Sequence, residues 1–203
     1  MRVLVACEFS GIVRDAFRAR GHDAWSCDLL DTEREGPHLK GPVEDWLDIG
    51  WDLMIAHPPC THLAVSGARW FKGKEREQAE ALEFVAMLLG AGIPRIALEN
   101  PVSVISTAIR KPDQIIQPYQ FGHPEVKATC LWLKNLPKLK PTDDVSAEMM
   151  NLSHAQRNRV WFEKKGNDED PRWKRRSRTL QGIADAMADQ WGAESPIQLE
   201  AAL

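Results

Sequence analysis

Apolar positions along the chain follow two periods, and the switches between them outline the fold. "RVLVACEF" (Arg2 to Phe9) is a nearly continuous apolar run, the pattern of a strand buried on both faces. "IVRDAFRARG" then carries Ile12, Val13, Ala16 and Phe17 at helical spacing, with Gly21 as the stop. "HDAWSCDLL" reads as a second strand ending near Asp28. Strand, glycine turn, helix and strand predict a βαβ unit with a right-handed crossover. "DTEREGPHLKGP" reads as loop, "VEDWLDI" as a short helix and "WDLMIAH" as the next strand. Further on, Ala81, Leu82, Val85, Leu88 and Leu89 mark one face of a helix. "PRIALENP", "QIIQPYQFG" and "ATCLWLK" predict three more strands. From about 137 to 172 the periodicity fades into a loop-rich segment, with "NRVWFEKKG" as a candidate hairpin arm. Leu180, Ile183, Ala184, Met187, Ala188 and Trp191 share one face of a closing helix, about 179–192. The alternation predicts an α/β fold: a mostly parallel, Rossmann-like sheet with helices on both faces, spanning 1–203 as a single domain.

Composition narrows the class without naming a function. An apolar share of 43% and a charged share of 27% are those of an ordinary globular protein. A net charge of −3 supplies no global attraction for nucleic acid, so any such site must be a local patch. Cys7, Cys27, Cys60 and Cys130 lie far apart and form no CxxC pair, which argues against a disulfide scaffold or structural zinc. No run is long and apolar enough for a signal peptide or a membrane span, and the expected location is cytoplasmic.

Four clusters could carry chemistry. In "DLMIAHPPCTHLAVSG", an apolar strand runs into Pro58 and Pro59, which cannot donate to a sheet ladder, so Cys60 is expected on a stiff turn at a strand's carboxyl end. That is where open α/β sheets bind ligands. Cys60 is a candidate nucleophile there, or a buried thiol acting as a small hydrophobe. Metal ligation by His57, Cys60 and His62 is disfavoured by the two prolines and the missing fourth ligand, and the expectation is no metal. A cysteine hydrolase using His57 or His62 as base lacks a placed orienting acid. In "ALENP", Glu99 and Asn100 occupy another strand's carboxyl end, and a half-buried carboxyl there is expected to have a raised pKa and to act as an acid. "CEFSGIVRDAF" offers a glycine turn at a helix N-terminus, with Asp28 one strand away for the hydroxyls of a ribose. Finally "RWKRRSR" packs Arg172, Lys174, Arg175, Arg176 and Arg178 around Trp173, a patch suited to phosphates with a ring for stacking on a base.

Together these residues resemble the cytosine carbon-5 DNA methyltransferases, in the compact form found in phages and prophages. "EFSG" is similar to that family's cofactor turn, "HPPCTHLAVSG" to its Pro-Cys nucleophile loop and "LENP" to its Glu-Asn element, in the same chain order. "FGHPEVKATCLWLKNLP" and "RSRTLQGIADAMADQW" extend the resemblance over most of the chain. It implies a covalent reaction that uses S-adenosylmethionine to methylate cytosine. Cys60 would add to carbon 6, and Glu99, beside Asn100, would protonate ring nitrogen 3. Lys127 would stand in for the family's paired arginines near the base, an element that "QRNR" (Gln156 to Arg159) also resembles. It further implies that Phe9, Ser10, Gly11, Asp28, Asp45 and Pro58 contact the cofactor, and that Arg172, Trp173, Lys174, Arg175, Arg176 and Arg178 contact nucleic acid.

The chain departs from the family pattern at Val13, where a second glycine is expected, and at Pro42, where an acidic residue is expected and Asp45 is the nearest substitute. Between Lys134 and Arg172 there is little room for a separate target-recognition domain. The expected partner is DNA, single- or double-stranded, with specificity supplied by a protein partner or oligomer. The alternatives are methylation of a free deoxycytidine nucleotide and a catalytically silent protein that binds cofactor or DNA.

Overall fold

The computed structural model describes residues 1–164 and 170–193. Among them, seven strands form one sheet: β1 (Arg2–Ala6), β2 (Asp23–Asp28), β3 (His38–Lys40), β4 (Leu53–Ala56), β5 (Arg95–Pro101), β6 (Gln114–Ile116) and β7 (Thr129–Lys134). Their order is β3-β2-β1-β4-β5-β7-β6. Only β7 runs against its neighbours, so the sheet is mixed and mostly parallel, as the alternation predicts. The helices are α1 (Ile12–Arg18), α2 (Glu75–Gly90), α3 (Ile105–Ala108), α4 (Ser146–Met150), α5 (His154–Arg157), α6 (Arg159–Phe162), α7 (Arg172–Ser177) and α8 (Gln181–Gly192).

Both faces of the sheet are covered, which is why its central strands read as continuous apolar runs rather than alternations. On one face Val3, Val5, Leu53 and Ile55 pack against Val13 and Phe17 of α1 and Ile183, Met187 and Trp191 of α8. On the other Leu4, Met54, Ile96 and Leu98 pack against Val85 and Leu88 of α2 and Ile105 of α3. α8 buries the apolar face that its periodicity predicts. Its first turn presses on the backbone of Phe121, where a Cβ on Gly182 would collide with the carbonyl oxygen.

Four segments differ from the sequence reading. β1 ends at Ala6 rather than Phe9, because Cys7 turns the chain at φ 58° and Glu8 folds back onto α1. The 31–42 stretch read as loop contains β3, whose three residues pair with β2. "NRVWFEKKG" is no hairpin arm: α5 and α6 occupy 154–162, started by a capping box between Ser153 and Gln156. The basic run is its own short helix, α7, rather than the lead-in to α8. Within the predicted loop-rich segment 137–172, residues 165–169 lie outside the described residues, as do 194–203 of the predicted domain.

A buried arginine ties the first βαβ unit together. The Arg14 side chain is fully buried and donates to Ser26 Oγ at 3.2 Å, Thr32 Oγ1 at 3.1 Å and the Arg34 and Glu35 carbonyls at 3.1 Å each. Its Nε pairs with Asp15 at 2.8 Å. Arg14→Met leaves those acceptors unpaired, and we expect it to lower unfolding free energy by about 3–5 kcal/mol, the usual cost of breaking a buried charged network. A shift of the urea midpoint smaller than about 1 kcal/mol in unfolding free energy would contradict that role.

Candidate functional site

The strand order reverses direction between β1 and β4: the chain moves outward through β2 and β3, then returns across β1 to start β4. At such a switch the loops leaving the two central strands diverge and open a crevice at the carboxyl edge. The segments that leave β1, β4 and β5 are Cys7 to Gly11, His57 to Cys60, and the end of β5 itself, Glu99 to Pro101.

After β1 the chain makes a compact turn. Gly11 sits at φ 72°, left-handed space that suits glycine, and a Cβ there would strike the Arg14 guanidinium. Ser10 is buried and donates from Oγ to Glu8 Oε1 at 3.1 Å. Glu8, also buried, accepts the amide N–H groups of Val13 at 2.7 Å and Arg14 at 3.3 Å. A side-chain carboxylate thus occupies the first turn of α1, the place where such folds often hold an anionic ligand. Burial raises the Glu8 pKa, and the charge of His57 and the two amide hydrogen bonds oppose it. Val13 is fully buried in the core, so the position of the expected second glycine is used for packing.

Beside this turn lies a cavity of about 320 Å³, lined by Cys7, Asp28, Leu29, Pro42, Val43, Glu44, Pro59 and Phe84 among others. Asp28 ends β2 and receives the Leu30 N–H at 3.0 Å; burial raises its pKa. Apolar walls with two carboxylates, Asp28 and Glu44, have the chemistry to take an adenosyl group, with Asp28 as the acceptor for ribose hydroxyls. Asp45 does not line this cavity; its neighbour Glu44 does. Phe9 is buried, with its ring 6.1 Å from that of Trp173 and Lys174 above it at 5.8 Å. The helix α7 therefore covers the EFSG turn.

The second part of the site lies across the ends of β4 and β5. Pro58 is buried, and its carbonyl accepts the Asn100 amide at 2.9 Å, which pins the nucleophile loop to β5. Asn100 is 1% exposed, so it reaches the loop and not the solvent. Cys60 is exposed and free. The surrounding protein raises its thiol pKa, Glu99 adds to the rise, and Lys127 and Arg176 oppose it. His57 Nδ1 lies 3.1 Å from Glu99 Oε2, with both side chains largely buried. Burial alone would raise the Glu99 pKa, but the His57 hydrogen bond, with the charges of His57 and Lys127, lowers it overall. This reverses the expectation of a raised carboxyl at this position. The second His57 nitrogen, Nε2, is buried without a hydrogen-bond partner among the described residues.

The basic run is less free than its composition suggests. Arg178 is held by Glu33 at 2.7 and 2.8 Å and by Asp170 at 2.8 Å, and Arg175 by Glu163 at 2.8 Å. Arg172 donates to the Trp161 carbonyl at 2.9 Å, Arg176 lies 6.0 Å over the Trp161 ring, and Trp173 stays 53% exposed. Lys127 Nζ donates to the Arg176 carbonyl at 3.1 Å, which links "HPEVKAT" to α7. Arg159, from "QRNR", joins them through Glu125 at 3.0 Å.

The structure thus brings Cys60, Glu99, Asn100 and Lys127 to one edge, with Phe9, Ser10, Gly11 and Asp28 beside them. Glu8, Glu44 and Arg14 are site-forming residues that motif reading passes over, and His57, weighed there only as a metal ligand or a hydrolase base, instead pairs with Glu99. A carboxylate directly after β1 was the signal available for Glu8. Among the described residues, no group of three or more His, Cys, Asp or Glu side chains is arranged to hold a metal ion, and no helix is long and apolar enough to cross a membrane.

No protein-family model matches the chain, and no curated protein matches it in sequence. Among solved structures it is similar to one from E. coli described as a proposed DNA modification methyltransferase encoded within a prophage. The TM-score is 0.43 and the identity 14%, over 73% of this chain and 53% of that one. The chain therefore spans about half the length of that protein.

Proposed function

We propose that this chain is a methyltransferase that uses S-adenosylmethionine to methylate carbon 5 of cytosine in DNA. The observation that carries this reading is the convergence at one sheet edge. A solvent-open thiol on a proline-stiffened turn and a histidine-paired carboxyl stand beside a cavity that fits an adenosyl group.

Each residue has a physical task. Asp28 would receive the ribose hydroxyls of the cofactor, and Leu29, Val43 and Phe84 would supply the apolar lining for its ring. S-adenosylmethionine, when bound, supplies a methyl group on a positively charged sulfur, an electrophile that cytosine carbon 5 can take up once it is electron-rich. Cys60 makes it so: its thiol loses a proton to solvent through its open side and the thiolate adds to carbon 6. Once carbon 5 carries the methyl group, a base takes the carbon-5 proton and ring nitrogen 3 returns its proton to Glu99. The bond from carbon 6 to sulfur then breaks to free 5-methylcytosine and the Cys60 thiolate. Lys127 and Arg176 favour that thiolate. Protonation of ring nitrogen 3 eases the addition, and Glu99 is the group that delivers the proton. At rest Glu99 is an anion accepting from His57; a base seated over it removes its remaining water and drives it toward the protonated form. His57 is a positioning residue that fixes which oxygen of Glu99 faces the base. Asn100 positions the Cys60 loop through Pro58. In a duplex the cytosine must leave the stack to reach Cys60.

The test is nucleoside mass spectrometry after incubating the protein and S-adenosylmethionine with unmodified single- and double-stranded DNA. New 5-methylcytosine is the expected product. Its absence from both strands' digests, at cofactor concentrations where binding is measured, would remove the reading.

A further inference from the structure

A second cavity, also of about 320 Å³, is lined in part by Lys127 and Arg176, the two cations whose charges act on Cys60. It lies between the lead-in to β7, α6 and α7, and its lining includes six cations: Arg34, Lys127, Arg159, Arg175, Arg176 and Arg178. Glu125 and Glu163 are the carboxylates of the same wall. In a chain of net charge −3 this is a strong local concentration of positive charge.

The cations divide into two kinds. Arg159 is fixed by both oxygens of Glu125 at 3.0 Å and Arg178 by both of Glu33, while Arg175 pairs with Glu163 at 2.8 Å and Arg34 with Asp15 at 3.6 Å. These pairs build a rigid wall. Lys127 and Arg176 have no carboxylate partner among the described residues: Lys127 donates to a carbonyl, and the Arg176 Nε is buried without a hydrogen-bond partner. Two cations with no ion pair of their own among the described residues, linked to each other inside a preformed concave wall, suit an anion, and the fixed wall reduces the ordering cost of binding. The same two side chains act electrostatically on the Cys60 thiol, so the anion belongs to whatever molecule reaches the nucleophile.

We infer that this cavity holds a phosphate of the nucleotide whose base is presented to Cys60, with Lys127 and Arg176 as its two direct ligands. The inference rests on the proposed cytosine chemistry for its choice of molecule. The phosphate comes either from a 5′-monophosphate or from the backbone of a single strand. A concave pocket receives both, whereas an intact duplex presents its phosphates on a convex surface and must first extrude the nucleotide.

Titration calorimetry separates these cases. The probes are 2′-deoxycytidine, its 5′-monophosphate, a single-stranded trinucleotide with central cytosine, and S-adenosylhomocysteine as an independent reading of the Asp28 cavity. Two direct charge-assisted contacts should make at least one phosphorylated probe bind about 10- to 100-fold tighter than the nucleoside. Arg176→Gln and Lys127→Met should each reduce that ratio toward one while S-adenosylhomocysteine binds as in the wild type. Arg176→Lys, which keeps the charge, should restore part of it. A preference confined to the monophosphate identifies a free nucleotide, and one confined to the trinucleotide identifies a strand; both support the site. Phosphorylated probes that bind no tighter than the nucleoside, or a ratio unchanged in both variants, overturn it. So does failure of every nucleotide probe while S-adenosylhomocysteine binds. None of these outcomes depends on methyl transfer, so the proposed function fails or stands separately, on the 5-methylcytosine assay.

Discussion

Cys60→Ala is expected to reduce 5-methylcytosine formation to background while the protein keeps its fold and its affinity for S-adenosylhomocysteine. Among the described residues Cys60 is the exposed cysteine, and Cys7, Cys27 and Cys130 are buried or half-buried, so no other thiol is placed to take over the addition to carbon 6. Its side chain is exposed and in no core cluster. What holds the loop is the backbone: the Cys60 carbonyl accepts the Leu63 and Ala64 amides at 3.0 and 2.9 Å, and Pro58 accepts Asn100. All of these survive the substitution. Measurable methyl transfer by a correctly folded Cys60→Ala protein would exclude the covalent route.

The pH dependence has a defined sign. Because the Cys60 pKa lies above that of an ordinary thiol, the free enzyme is mostly thiol at neutral pH, and kcat/KM should keep rising with pH into the alkaline range. Lys127→Met removes a cation that lowers this pKa, so the rise should move to higher pH.

Glu99→Gln should slow methyl transfer by about 10²–10⁴-fold, the usual worth of a positioned acid. Glutamine keeps the shape and can still accept from His57, but it has no proton to deliver to ring nitrogen 3. The substitution carries a second signature that a merely structural role would not produce. Glu99 is one of the groups that raise the Cys60 pKa, so its neutral replacement should move the alkaline rise of kcat/KM to lower pH while the ceiling falls. A slower enzyme with an unmoved pH profile would place Glu99 in the scaffold; an unchanged rate would remove it from the chemistry altogether.

Several elements were legible because their cause is local. Buried strands reveal themselves as unbroken apolar runs, and Pro58 and Pro101 end β4 and β5 by the same missing N–H. The face of α8 follows from its 3.6-residue period. Short elements were not legible. β3 has three residues and no pattern of its own, and exists because Ser26 to Asp28 offer it a ladder. The helices over 154–162 carry too few apolar residues for a periodic signal, although the Ser153–Gln156 capping box was readable. The charge state of Glu99 depended on a contact between residues 42 positions apart, which no spacing rule encodes.

By itself the sequence determined the α/β class, the placement of Cys60 and Glu99 at strand ends, and the kinds of chemistry those residue types permit. These follow from period, proline and composition, all properties of neighbours along the chain. Tertiary structure alone decided the protonation bias of Glu99, the use of Glu8 rather than a ligand to fill the first turn of α1, and the covering of Phe9 by α7. It also decided that Arg175 and Arg178 of the basic run are paired with carboxylates, while Arg176 and Lys127, which line the same cavity, have no carboxylate ion pair among the described residues. Each depends on which charges and amides meet across the folded chain, because electrostatic and hydrogen-bonding energies are set by distance and burial in space rather than by separation in sequence.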